Sequence, residues 1–96
     1  MTARVRRVVR VAGIVQGVGF RPFVYSLATR LGLAGRVGND VDGVFIEVES
    51  APARVEQFLV GLERDAPALA RIDRLVSLDV EPVGELRFEI GPAAWS

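Results

Sequence analysis

The sequence predicts an α+β sandwich, with two helices covering one face of an antiparallel sheet. Two observations carry that expectation. Several short stretches alternate apolar and polar residues with the period of a strand, and two others repeat apolar residues at helical spacing. Their order is strand, helix, strand, strand, helix, strand, and ninety-six residues suit one domain with a modest core.

Arg4 to Ala12 reads as the first strand, with Val5, Val9 and Val11 on one face and Arg4, Arg6 and Arg10 on the other. Arg7 falls on the apolar side, near enough to the strand's start for its stem to carry the charge to solvent. The first helix is expected over Pro22 to Leu31. Proline suits a first helical turn, where its missing N–H is not needed. Phe23, Leu27 and Leu31 recur every four residues, Val24 and Ala28 widen the stripe, and Gly32 stops the helix.

Ala34 to Asn39 and Val44 to Glu49 are the second and third strands. Asn39-Asp40-Val41-Asp42-Gly43 joins them as a hairpin, because these turn formers tolerate left-handed backbone. Ser50 is positioned to cap a second helix that has Pro52 in its first turn and stops near Asp65-Ala66-Pro67. Val55, Phe58, Leu59 and Leu62 form its apolar stripe. Gly61 costs that helix about 1 kcal/mol relative to alanine and is read as a point of close approach to the sheet. Ile72 to Val80 is the fourth strand, ended by Pro82 and Gly84, and Leu86, Phe88 and Ile90 mark a short last one. Residues 1–91 form the domain and residues 92–96 a C-terminal tail.

This order is that of the ferredoxin-like split arrangement, βαββαβ with a terminal extension. In it the basic outer face of the first strand is left open to water. Composition narrows the chemistry. The formal net charge is zero, so nothing draws the chain globally to nucleic acid or anionic membrane. There is no cysteine and no histidine, hence no thiol nucleophile, no disulfide, no zinc–cysteine site and no imidazole base. No apolar run has the length of a membrane span and no signal peptide opens the chain, so a cytoplasmic location is expected.

One stretch promises a site. Gly13-Ile14-Val15-Gln16-Gly17-Val18-Gly19-Phe20-Arg21-Pro22 joins a strand to a helix. Glycines let backbone curl, and curled N–H groups at a helix start form an anion cradle. Arg21 stands where its planar fork can close over an oxyanion. Pro22 occupies the place of the third glycine of a dinucleotide loop, and no Lys-Ser or Lys-Thr pair follows as a Walker loop requires. The alternative is a glycine-rich turn with a solvated arginine.

The topology brings the ends of the first two strands towards the start of the first helix, and so Asn39 towards Arg21. An arginine fixes an anion, and a carboxamide can hold a water through one acceptor and one donor. Without a protein nucleophile the reaction is direct attack of a positioned water on phosphorus. Such weak assistance demands a good leaving group, as in a carboxylic–phosphoric anhydride. Taken singly, Asn39 is also an ordinary turn residue, and Asp40 and Asp42 an ordinary solvated pair rather than a metal site. RNA binding is disfavoured, since the first strand lacks stacking aromatics and the third has only Phe45.

At these residues the sequence resembles a known family. Gly13-x-Val15-Gln16-Gly17-Val18-Gly19-Phe20-Arg21, with Gly35-x-Val37-x-Asn39 and Asp42-Gly43, is similar to the acylphosphatase signature. Gly-Phe-Arg-Pro-Phe-Val-Tyr at positions 19 to 25, Asn39-Asp40 and Leu69-Ala70-Arg71-Ile72-Asp73 resemble more closely the N-terminal acylphosphatase-like domain of the HypF carbamoyltransferases of nickel–iron hydrogenase maturation. Pro22, in place of the basic residue that small free-standing acylphosphatases often carry, favours that branch.

The resemblance implies metal-free, cofactor-free hydrolysis of acyl phosphates. It places phosphate binding on Val15, Gln16, Gly17, Val18, Gly19, Phe20 and Arg21, and orientation of the water on Asn39. It also implies carbamoyl phosphate as the substrate, and the other carbamoyltransferase domains and the hydrogenase-maturation machinery as partners; the glycine cradle itself predicts inorganic phosphate or sulfate as bound inhibitors. Nucleic acid and membrane are not expected partners. The chain would be a fragment of the larger enzyme or a separately encoded first module. A free-standing acylphosphatase of broad specificity and a non-catalytic docking or small-ligand module are the other readings.

Overall fold

A computed structural model describes residues 3–91, so the expected tail over 92–96 lies outside the described residues. The elements are β1 (Val5–Ile14), α1 (Phe20–Arg30), β2 (Ala34–Asp40), β3 (Gly43–Ser50), α2 (Pro52–Arg64), β4 (Arg71–Val80) and β5 (Phe88–Ile90). They build one sheet in the order β4-β1-β3-β2-β5 with two helices packed on it. The first four strands in that order are antiparallel neighbours, and β5 adds to β2 in parallel. The expected ferredoxin-like sandwich is therefore present, with the last strand completing one edge.

Strand alternation sends one face of the sheet to the helices. Val9 and Val11 of β1, Val37 of β2 and Val44, Ile46 and Val48 of β3 are buried there against Phe20, Val24 and Leu27 of α1 and Val55, Phe58 and Leu62 of α2. Burying side chains of this size contributes roughly 1.5–3 kcal/mol each, and the burial decides which way each strand faces.

Helix α1 begins at Phe20, two residues before Pro22. Proline is acceptable anywhere in the first turn, so its position alone does not mark the first residue. The earlier start moves the buried stripe to Phe20, Val24, Leu27 and Ala28, leaving Phe23 and Leu31 partly buried at its margin. The helix ends as expected at Gly32. Its N–H donates to Thr29 O at 3.1 Å and that of Leu33 to Ala28 O at 2.8 Å, the paired closure that a left-handed residue permits.

Three local expectations are corrected. Ser50 does not cap α2; it closes β3 opposite Val5, and Ala51 is the N-cap without a side-chain bond. Gly61 lies against Leu27 of α1 rather than against the sheet, since a Cβ there would stand 3.1 Å from Leu27 Cδ2. The third correction concerns the outer face of β1, which is not all open to water. Arg6 is only 5% exposed, donates to Glu49 at 3.0 Å and also pairs with Glu47 and Glu85. Glu85 belongs to the connection that must cross from β4 at one edge to β5 at the other. The Val83 and Gly84 N–H groups donate to the Glu49 carboxylate at 2.8 and 2.9 Å, which ties the crossing down over Arg6.

Candidate active site

The loop between β1 and α1 is pinned at both ends. Val15 and Phe20 are each 1% exposed, so apolar burial sets where the chain leaves the sheet and where the helix starts. Their side chains belong to the core, and what they offer a ligand is backbone. Between them Gly17 and Gly19 adopt φ of 73° and 79°, the left-handed region that L side chains avoid. A Cβ at either position would meet nothing within 4 Å, so the space beside both is open. Gln16 is exposed and Val18 half-buried.

Gly19 is the N-cap of α1 and offers no side-chain cap, and no acidic residue stands in the first turn. A helix start leaves its first N–H groups without intrahelical partners. Arg21 stands in that same turn, half-buried, with no hydrogen bond or ion pair among the described residues. A cation at a helix N-terminus is disfavoured by roughly 0.3–1 kcal/mol. An uncapped helix start and a guanidinium without a partner among the described residues thus stand in the same turn, and both are groups that an oxyanion can pair.

Asn39 sits near the end of β2, opposite Val44 and on the helix-facing side with Val37. Its Oδ1 is buried without a hydrogen-bond partner among the described residues. Leaving such an acceptor unpaired costs roughly 1–3 kcal/mol, and a water donating to it removes that penalty. No hydrogen bond joins Arg21 to Asn39 among the described residues. The link between loop and hairpin is Gln16, whose Nε2 donates to Asp40 O at 3.0 Å and Gly43 O at 3.1 Å.

The outer side of the hairpin is a separate environment. Asp40 pairs with Arg10, whose guanidinium lies 5.3 Å from the centre of the Phe45 ring. The Asp42 N–H donates to Asp40 Oδ1 at 2.8 Å, so an aspartate turn closes the hairpin. No non-glycine residue among those described takes a positive φ, so left-handed Asn or Asp backbone is not what makes this turn. An open cleft of about 440 Å³ runs beside it, lined by Arg10, Ala12, Asp42, Arg74 and Val76 among others. That cleft includes none of the residues from Val15 to Arg21. The Gln16 side-chain bridge was not legible in sequence; only its distance from Asp40 along the chain, against its nearness in space, reveals it.

Comparison with known proteins gives the family. The acylphosphatase family model matches residues 7–90. The carbamoyltransferase HypF2 of Cupriavidus necator is 55% identical over 74 residues, covering 77% of this chain and 9% of that protein. An acylphosphatase of Caldivirga maquilingensis is 46% identical over 83 residues, covering 85% of this chain and 84% of that protein. The crystal structure of full-length HypF in a phosphate- and nucleotide-bound form superposes with a TM-score of 0.93 at 36% identity, over 98% of this chain and 13% of that one. The chain thus spans about a tenth of the carbamoyltransferase relatives, where it aligns with their N-terminal domain, and most of the length of the small acylphosphatase. A family model that matches nearly the whole chain, on the sandwich fold described above, shows that this chain belongs to the acylphosphatase family.

Proposed function

We propose that the domain hydrolyses acyl phosphates, carbamoyl phosphate foremost, as the first module of a carbamoyltransferase acting in nickel–iron hydrogenase maturation. The observation that carries the reading is Arg21, an unpaired guanidinium in the uncapped first turn of α1, beside a loop with open space at Gly17 and Gly19. In this reading the backbone N–H groups from Val15 to Phe20 and the Arg21 fork hold the phosphoryl oxygens. Their charge grows more demanding as the P–O bond to the acyl group lengthens, and preorganised donors act on that difference.

Asn39 holds the attacking water through its carboxamide. The water oxygen forms a bond to phosphorus, the bond from phosphorus to the acyl oxygen breaks, and carbamate or another carboxylate leaves with inorganic phosphate. The leaving group is stable as an anion, so no strong general acid is needed. Alignment with both HypF proteins and a small acylphosphatase supports the reaction class. The 55% identity to a carbamoyltransferase and Pro22 favour the carbamoyl substrate.

The test is steady-state hydrolysis of carbamoyl phosphate and benzoyl phosphate, with inhibition by inorganic phosphate. Turnover of carbamoyl phosphate with competitive phosphate inhibition is expected. A clear preference for benzoyl phosphate would assign the chain to the broad acylphosphatases. Binding without turnover of either would make it a small-ligand module.

A further inference from the structure

Two hydrogen bonds from one side chain join the cradle to the hairpin that carries Asn39. The Gln16 Nε2 has two protons, and it directs them to the carbonyls of Asp40 and Gly43 at 3.0 and 3.1 Å. Those two residues are the closing pair of the β2–β3 ladder, immediately beyond the pair formed by Asn39 and Val44. Both bonds are long-range, spanning 24 and 27 residues, so the local chain does not impose them. Core burial fixes the loop at Val15 and Phe20, on either side of the glycines, and the β1–β3 ladder holds the hairpin strand only as far as the Val11–Val44 pair. Beyond the end of that ladder, Gln16 is the side chain that ties the cradle to the residues next to Asn39 and its partner Val44.

Resting on the proposed hydrolysis, we infer that Gln16 is a positioning residue: its side chain clamps the cradle to the hairpin and so places the Asn39-held water in line with the bound phosphoryl group. Its side chain does not bind phosphate; only its backbone N–H is available to the cradle. The amide is suited to this work because it donates twice. A carboxylate accepts only, and would face two carbonyl oxygens.

The proposal predicts a division between turnover and anion binding. Gln16→Leu keeps the backbone N–H and removes both donors. The kcat for acyl phosphate hydrolysis is expected to fall about tenfold or more, as misplaced groups lose rate steeply. The phosphate inhibition constant should stay within about twofold, since the cradle remains. In an Asn39→Ala background the same substitution should cause no further loss, because residues acting through one another are not additive.

A second readout is independent of turnover. In the folded Gln16→Leu chain the Asn39 side-chain amide resonances should shift, while the methyl resonances of Val9 and Ile46 stay in place. Should Gln16→Leu fail to fold, Gln16→Asn keeps the donor but shortens its reach, and serves the same comparison. Unmoved Asn39 resonances would overturn the clamp, as would equal losses in kcat and phosphate binding or additive losses in the double variant. Native kcat in Asn39→Ala would instead overturn the functional reading itself, so the two failures are read apart.

Discussion

Arg21 stands at the positive end of a helix dipole without a counter-charge among the described residues, and a protein with no use for it there gains stability by losing it. Two outcomes follow for Arg21→Ala. Hydrolysis should drop by about a hundred- to a thousand-fold, the effect of removing one preorganised oxyanion donor, roughly 3–4 kcal/mol. The melting temperature should hold or rise slightly. Arg21→Lys should recover little, since a point charge does not reproduce a planar fork. Asn39→Ala should lower kcat while phosphate still inhibits, because the cradle is untouched. Kinetics with a thermal melt on each variant check these outcomes, and a fully active Arg21→Ala would remove the site assignment altogether.

The β2–β3 hairpin carries Asn39, and backbone crowding holds it to its neighbours. Gly35 adopts φ of 133°, and a Cβ there would lie 1.9 Å from Glu47 O on the adjacent strand. Its N–H donates to Arg87 O at 3.0 Å, so the same residue also receives the edge strand β5. Gly35→Ala must part β2 from β3 or fail to fold, a loss of about 4 kcal/mol or more. Urea unfolding measures it, and a near-native midpoint would refute the crowding argument. The hairpin itself was legible from Asn39 to Gly43, because few residues tolerate a tight turn. The crowding at Gly35 was not, because it depends on Glu47 across the ladder.

Across the whole molecule, the crossing from β4 to β5 hangs on a buried carboxylate. Burial pushes the Glu49 carboxyl up, but the Val83 and Gly84 N–H groups, Arg6 and Arg4 outweigh it and hold it below the ordinary value of 4.5. A depressed native value contributes stability that is complete above pH 4.5 and lost as pH falls through the native value. Acid unfolding should therefore steepen below about that pH. Glu49→Gln should remove this dependence and, by leaving Arg6 short of a partner, cost about 3 kcal/mol at neutral pH. Denaturant melts between pH 3 and pH 7, with both proteins compared, decide the matter; parallel pH curves would count against it. Among the described residues no three His, Cys, Asp or Glu side chains are grouped to hold a metal. The proposed attack uses only the cradle, the Arg21 fork and the Asn39-held water, so turnover is expected to survive EDTA; activity that vanished with the chelator and returned with magnesium would contradict the proposed mechanism.

The sequence by itself determined the order of elements, the faces of β1 and β3, the hairpin, the stop at Gly32 and the glycine loop. These depend on periodicity and on residues whose backbone freedom is unusual, both local properties. Tertiary structure decided what covers each face and which groups meet. Alternation places Arg6 opposite Val9 but is silent on whether that face is wet; a connection some eighty residues later buries it. Proline marks a first helical turn but not its first residue, which the burial of Phe20 sets. The Gln16 bridge and the Glu49 latch join chain segments far apart in sequence. Such pairings are fixed only when the sheet closes, because no local preference distinguishes a glutamine that will reach two distant carbonyls from one that will face water.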